Sequence, residues 1–352
     1  MKTLNIKQII KRKITDEESL SINLDELKDE QIDILVSKLA QFINLNSLEL
    51  ISNIKQMIIL DKILQKMSQI KQLRVYLDST YLFLSSQDYS QDKIETCFRK
   101  FSNLTDLDFN ISFSELQPQN LKNLFDDLKQ CHMLVSLKLN LRKQLSLNEQ
   151  NIHDLGTLIG SLTNLQRLNV SLWDNNISRQ CFTHLAQGIY QGGINLTNIT
   201  FNLEFTFIND DILAELGIAF SKCSNLKSLS IDLKFNQIKS IGLSQFVHSL
   251  SKCLNLTQLE LDFGWNKFRN LGAHHLTSKL NSLISLKYLY LSIMSCEIDN
   301  KGMLEISNRL RECTQLNLIK ICILGNGDFA IKKEAKDFYN KLKHIPYLIS
   351  IL

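Results

Sequence analysis

The sequence predicts an α/β fold made by repetition, about eleven stacked units of about 30 residues, each a strand followed by a helix. Three observations lead there. CSNLKSLSIDLKFN at 223–236 returns as CLNLTQLELDFGWN at 253–266. Within one unit the apolar spacing changes from the period of a strand to that of a helix. Only two prolines occur among 352 residues, and no Gly/Ser-rich hinge interrupts the pattern.

Taken in chain order, residues 1–16 read as a basic tail carrying Lys11, Arg12 and Lys13, and residues 17–352 as a single repeat domain. Leu20, Ile22 and Leu24 are the inward residues of a first, degenerate strand, and Leu45 and Ile70 open irregular repeats. The frame then becomes regular, with its first leucine at Leu104, Leu134, Leu165, Leu196, Leu226, Leu256, Leu286 and Leu316. In the unit from Leu226, residues Leu229, Ile231 and Leu233 alternate with Ser230, Asp232 and Lys234, which predicts a half-buried strand. Leu243, Phe246, Val247, Leu250 and Leu254 follow one helical face. Strand and helix alternate with no hairpin between them, so the strands must run parallel, with helices covering one side. The longer interval between Ile70 and Leu104 holds SSQDYSQDK at 85–93, a loop. Residues 330–342 predict a last amphipathic helix, and YLISIL at 347–352 a last strand whose free edge invites contact with a partner.

LKSLSIDLKFNQIKSIG at 226–242 and LTQLELDFGWNKFRNLG at 256–272 carry the pattern L-x-x-L-x-L followed by an asparagine, a glycine and a helix. On these residues the chain resembles leucine-rich repeat proteins of the ribonuclease-inhibitor-like class over roughly 17–345. The resemblance implies a leucine-rich repeat solenoid of horseshoe form, with the parallel sheet on the concave face and the helices on the convex face. The repeats are longer than usual, which predicts longer strands with a fourth inward residue such as Leu233 or Phe263.

Ser114, Gln144, Asn175, Thr206, Asn236, Asn266, Cys296 and Asn326 share one position after the strand, where a short polar side chain can satisfy backbone groups leaving the ladder. Asn44, Asn103, Asn164, Asn195, Asn225 and Asn255 precede the motif leucine and predict left-handed helix ends. Cys131, Cys223, Cys253 and Cys313 stand three residues before it, in a slot for small buried hydrophobes. No Cys-x-x-Cys pair, HExxH, or glycine-rich phosphate loop occurs; GNG at 325–327 and Gly192-Gly193 fit none, and His274-His275 reads as a surface pair. We therefore expect no catalytic, cofactor-binding or metal-binding residues.

What remains is surface. The strand positions facing the concave side include Trp173, Glu204, Asp232, Lys234, Glu260, Asp262, Tyr290 and Met294, an acidic centre flanked by aromatic and apolar side chains. Such a band suits a protein partner with a basic segment, since aromatics anchor and like charges steer. A net charge of +4 with both signs interspersed gives no basic stripe for nucleic acid. No apolar run spans a membrane and the N-terminus lacks a signal-peptide pattern, so the expected location is cytoplasmic, with nuclear or cytoskeletal association left open. The expected function is a non-enzymatic interaction scaffold, acting alone or as one subunit of a larger assembly. The alternative is regulation of a small GTPase, because Ran GTPase-activating proteins resemble this repeat type.

Overall fold

The structure, a computed structural model, describes residues 2–3, 6–11, 17–25, 27–53, 57–78, 98–112, 116–144, 146–327, 340, 342 and 345–351. The expected loop at 85–93 lies outside them, as does nearly all of the helix expected at 330–342. The chain forms two compact units, Met1–Ser171 and Leu172–Leu352.

The first unit contains β1 (Lys2–Thr3), α1 (Ile6–Lys11), β2 (Ser19–Asn23), α2 (Asp29–Leu39), β3 (Ser47–Asn53), α3 (Met57–Leu64) and β4 (Gln72–Asp78). It continues with β5 (Asp106–Asn110), α4 (Pro118–Leu128), β6 (Ser136–Asn140), α5 (Glu149–Ser161) and β7 (Arg167–Ser171). Each strand pairs in parallel with the next. The stretch expected as a basic tail departs from that expectation. Its apolar residues are spaced to fold onto the core, so Ile6 and Ile9 of α1 are buried and Lys2–Thr3 pair with Leu20–Ser21. That pairing covers the outer edge of β2.

The second unit holds α6 (Arg179–Gly192), β8 (Asn198–Asn202), α7 (Asp210–Ser221), β9 (Ser228–Asp232), α8 (Ser240–Leu250) and β10 (Gln258–Asp262). After it come α9 (Arg269–Thr277), β11 (Tyr288–Ser292), α10 (Asn300–Arg311), β12 (Leu318–Cys322) and β13 (Tyr347–Ile351). Strands β8 to β13 are parallel neighbours in sequence order. Parallel strands alternating with helices in this register make the fold a leucine-rich repeat solenoid. The register stacks like on like: Leu229, Leu259, Leu289 and Ile319 form one inward row, and Ile231, Leu261, Leu291 and Ile321 the next. All eight are buried, and each contributes about 1.5–3 kcal/mol by leaving water. The helices close over this face. Phe220 of α7 lies 6.2 Å from Phe201 of β8, and Phe246 of α8 meets Phe263 edge-on at 6.2 Å.

Close stacking also explains Gly242, near the start of α8. A Cβ on Gly242 would lie 2.5 Å from the Cα of Asp210, at the start of the preceding helix, so only glycine fits.

Two sequence expectations need correction here. The helical face was expected to run through Leu254, but α8 ends at Leu250 and Leu254 is 53% exposed. The chain turns at Ser251–Asn255 before re-entering the sheet. Nor do the regular repeats have longer strands: β8 to β12 are five residues each. Leu233 and Phe263 are fully buried but sit just past the strand end, because the chain already bends there.

That bend follows from two side-chain devices. Asn110, Asn140, Asn202, Asp232 and Asp262 each accept, through Oδ1, the N–H two residues on, at 3.0–3.3 Å. Behind them runs the asparagine ladder. Asn236 Nδ2 donates to the carbonyls of Leu203 and Leu233 at 2.8 and 3.0 Å, while its Oδ1 accepts from Ile208 N at 2.8 Å. Asn326 repeats this with Ile293, Ile323 and Cys296. Thr206 and Cys296 take the same slot with a hydroxyl and a thiol, donating to Leu203 O and Phe263 O.

The asparagines before the motif leucine do something other than expected. None of Asn44, Asn103, Asn164, Asn195, Asn225 or Asn255 has a positive φ. Asn164, Asn225 and Asn255 instead donate from Nδ2 to a carbonyl of the preceding repeat, His132, Ile194 and Ser224, at 2.8–2.9 Å. They bond repeat to repeat. The cysteine slot works similarly, since Cys131 and Cys253 lie within 3.3 and 3.5 Å of the carbonyls of Phe98 and Phe220. Burial pushes the thiols of Cys131, Cys223 and Cys313 up to about 12, so they stay protonated and act as small packed donors.

Candidate functional site

The eight candidate residues all fall in the second unit, and they occupy three rows of the sheet face turned away from the helices. Glu260 pairs with Tyr290 in mid-strand, Asp232 with Asp262 at the strand ends, and Trp173, Glu204, Lys234 and Met294 begin the turns that follow. Alternation with the buried row puts them on this face. All eight are half-buried.

The structure brings three of them into one bonded cluster, with the charge of Asp262 beside it. Lys234 Nζ lies 3.1 Å from Asp232 Oδ2 and 3.6 Å from Glu204 Oε2. Burial works against its ammonium, yet the charge and hydrogen bond of Asp232, with the charges of Asp262 and Glu204, hold its pKa above the ordinary lysine value. Burial likewise pushes the Asp262 carboxyl up, aided by Asp232 and opposed by the Gly264 N–H, the Ser292 hydroxyl and Lys234. Burial, then the charge of Asp262, raises the Tyr290 phenol. Glu260 stands slightly apart. It accepts from Ser230 Oγ at 2.9 Å and from the Tyr288 hydroxyl, which burial and the Glu260 charge hold in its protonated form.

Four carboxylates share this face, but their free charge is smaller than the sequence suggests, because one lysine bridges two of them. Asp232 and Asp262 also have structural duties, each capping its own turn through Oδ1. Trp173 and Met294 mark the two ends of the turn row.

Sequence reasoning missed the most distinctive feature next to this cluster. Phe205, Phe235 and Trp265 follow Glu204, Lys234 and Gly264 directly, and their rings stack. Phe205 and Phe235 are 4.4 Å apart at 7°, and Phe235 and Trp265 5.3 Å apart at 11°. The backbone fixes the spacing: Phe205 N–H donates to Lys234 O, Phe235 N–H to Gly264 O and Trp265 N–H to Met294 O, each bond reaching one repeat on. The rings thus repeat at roughly the 4.8 Å strand separation. All three have left-handed backbones, with φ of 54, 52 and 61°. A bulky residue held there costs about 1–2 kcal/mol relative to an ordinary conformation. Phe205 and Trp265 are 43% and 48% exposed, so core packing does not account for the choice. A signal was present in the sequence, since an aromatic residue precedes the ladder position in three successive repeats.

His274 and His275 lie in the last turn of α9. His274 pairs with Glu305, and His275 Nδ1 lies 2.8 Å from Ser240 O. Among the described residues, no group of three or more His, Cys, Asp or Glu is placed to hold a metal ion. No described helix is long and apolar enough to cross a membrane.

No protein-family model and no curated protein matches the chain. One solved structure that it resembles is that of Rad7 in complex with Elc1 from yeast, at 16% identity and a TM-score of 0.48, covering 94% of this chain and 82% of that one.

Proposed function

We propose that this chain is a non-enzymatic interaction scaffold of the ribonuclease-inhibitor-like class, its repeats from 17 to 352 one domain, and that the sheet face of the second unit binds a protein partner through a basic segment. The observation that carries this reading is the juxtaposition of the carboxylates of Glu204, Asp232, Glu260 and Asp262 with an exposed aromatic stack. Aromatic anchors ringed by charge are where binding energy concentrates in protein interfaces. The carboxylates exceed the one lysine among them, so a partner bringing cations finds acceptors already in place. Regulation of a small GTPase is the alternative, using polar groups at the repeat loops, and capture of a nucleotide-dependent GTPase would identify it. A contact through the edge of β13 remains a separate proposal, which crosslinking at Tyr347 would detect.

The test must remove charge without breaking the turns. Asp232→Asn and Asp262→Asn keep the Oδ1 acceptors, and Glu204→Gln and Glu260→Gln keep length. We expect the four together to weaken retention of the native partner about tenfold or more, with strong salt dependence in the parent protein, while thermal unfolding shifts by only about a few degrees. Full retention at an unchanged melting temperature would move the interface off this face.

A further inference from the structure

Helices α6 and α7 do not close fully against each other. Thr183, Ala186 and Tyr190 follow one face of α6 at intervals of three and four residues, and Glu215, Ile218 and Ala219 do the same on α7. Between the two rows lies a groove of about 250 Å³, open to solvent on one side and lined almost wholly by carbon. Ala186 and Ala219 are buried and too short to fill it, while Ile218 and Tyr190 are 51% and 50% exposed along it. On its other side α7 leaves no such space, since a Cβ on Gly217 would lie 3.0 Å from the Cα of Phe246 in α8.

One polar group in this groove has no counterpart. Glu215 Oε2 is shut off from water, yet it has no hydrogen-bond partner among the described residues. A carboxylate oxygen held in that state costs free energy that an incoming donor would recover. The lysine that ends α7 does not supply the donor: Lys222 Nζ lies over the Tyr190 ring, 5.3 Å from its centroid, and Lys222 is about two helical turns from Glu215. The last torsion of a glutamate side chain is soft, so the carboxylate can turn to meet a group entering from the open side.

These features together define the occupant. The complement of an unpaired carboxylate is a cation with N–H donors, and the complement of the lining is an apolar body. A cavity of roughly 150 Å³ holds a benzene-sized group, so a groove of about 250 Å³ has room for a ring with a short arm. We propose that the groove between α6 and α7 is a binding site for a small aralkyl amine, whose ring lies over Ala186 and Ala219 beside Ile218 and whose ammonium donates to Glu215. This site is separate from the sheet face and does not rest on the reading of that face.

The experiment titrates phenethylamine into the full chain carrying isotope-labelled alanine and isoleucine methyl groups, followed by NMR. Saturable shifts are expected at the methyls of Ala186, Ala219 and Ile218. Phenethyl alcohol keeps the ring and a donor but loses the charge, and ethylamine keeps the charge but loses the ring, so each is expected to bind about tenfold or more weakly. Glu215→Gln removes the charge at nearly constant shape and is expected to reduce the affinity for the amine to that for the alcohol. Ala186→Leu fills the groove and is expected to abolish binding. The proposal is overturned by the absence of shifts at the three methyls, by equal affinity for amine and alcohol, or by a preference for the amine that survives Glu215→Gln. Nα-acetyl-lysine methylamide binding as tightly as phenethylamine would also overturn it, by making the occupant a protein side chain. Retention of a protein partner by the sheet face is measured independently, so either result can fail without the other.

Discussion

Replacing Phe263 with alanine is expected to destabilise the second unit by about 3–5 kcal/mol, the range for truncating a buried aromatic ring. Phe263 is fully buried and packs edge-on against two other rings, Phe246 of α8 at 6.2 Å and Phe268 at 6.3 Å. Truncation removes the ring from both contacts and leaves a cavity beneath the turn. The backbone there cannot collapse to fill it, since Phe263 N–H is held by Ser292 O at 2.8 Å. Phe205→Ala is the informative control. That ring is exposed on the outer side of the corresponding turn two repeats earlier, so its loss should cost no more than about 1 kcal/mol of stacking. Urea unfolding followed by tryptophan fluorescence measures both. If the two variants unfold alike, the division between inward and outward aromatic rows is wrong.

Asn266→Ala should be nearly as damaging, at about 2–4 kcal/mol, because it strands several buried backbone groups at once. Asn266 is 0% exposed. Its Nδ2 donates to Leu233 O at 2.8 Å and Phe263 O at 2.9 Å, and its Oδ1 accepts from Ile238 N at 3.1 Å. Alanine satisfies none of these, and no water reaches a site so enclosed without a cavity to hold it. Asn255→Ala, by contrast, removes one exposed inter-repeat bond to Ser224 O and should cost about 1 kcal/mol or less. Because both positions are asparagines of one repeat, the comparison isolates burial and bond count from residue type. Equal losses would show that the ladder has no special weight.

The sequence made the strand rows and the asparagine ladder legible because both are recorded by repetition. A residue needed for the same backbone job every thirty residues leaves the same kind of letter at the same place. The acidic rows were legible for the related reason that alternation assigns a face. The left-handed turn positions were not. Glycine and asparagine are the residues expected there, and the chain instead places Phe205, Phe235 and Trp265 in that conformation against their intrinsic preference. Asn225 and its counterparts misled in the opposite direction, since a residue that tolerates a left-handed helix end serves here as a hydrogen-bond donor to the repeat before it. The bridging of Asp232 and Glu204 by Lys234 was also out of reach, because the face of a side chain follows from alternation but the direction in which a lysine ammonium settles does not.

That the partner binds the sheet face of the second unit is tested most directly by amide hydrogen exchange of the full chain with and without its captured partner. The account predicts added protection in the segments that carry the acidic rows and the ring stack, 198–205, 228–235 and 258–265, with no change in α7, α8 or α9. Protection confined to those helices, with the strand and turn segments exchanging as in the free protein, would contradict it.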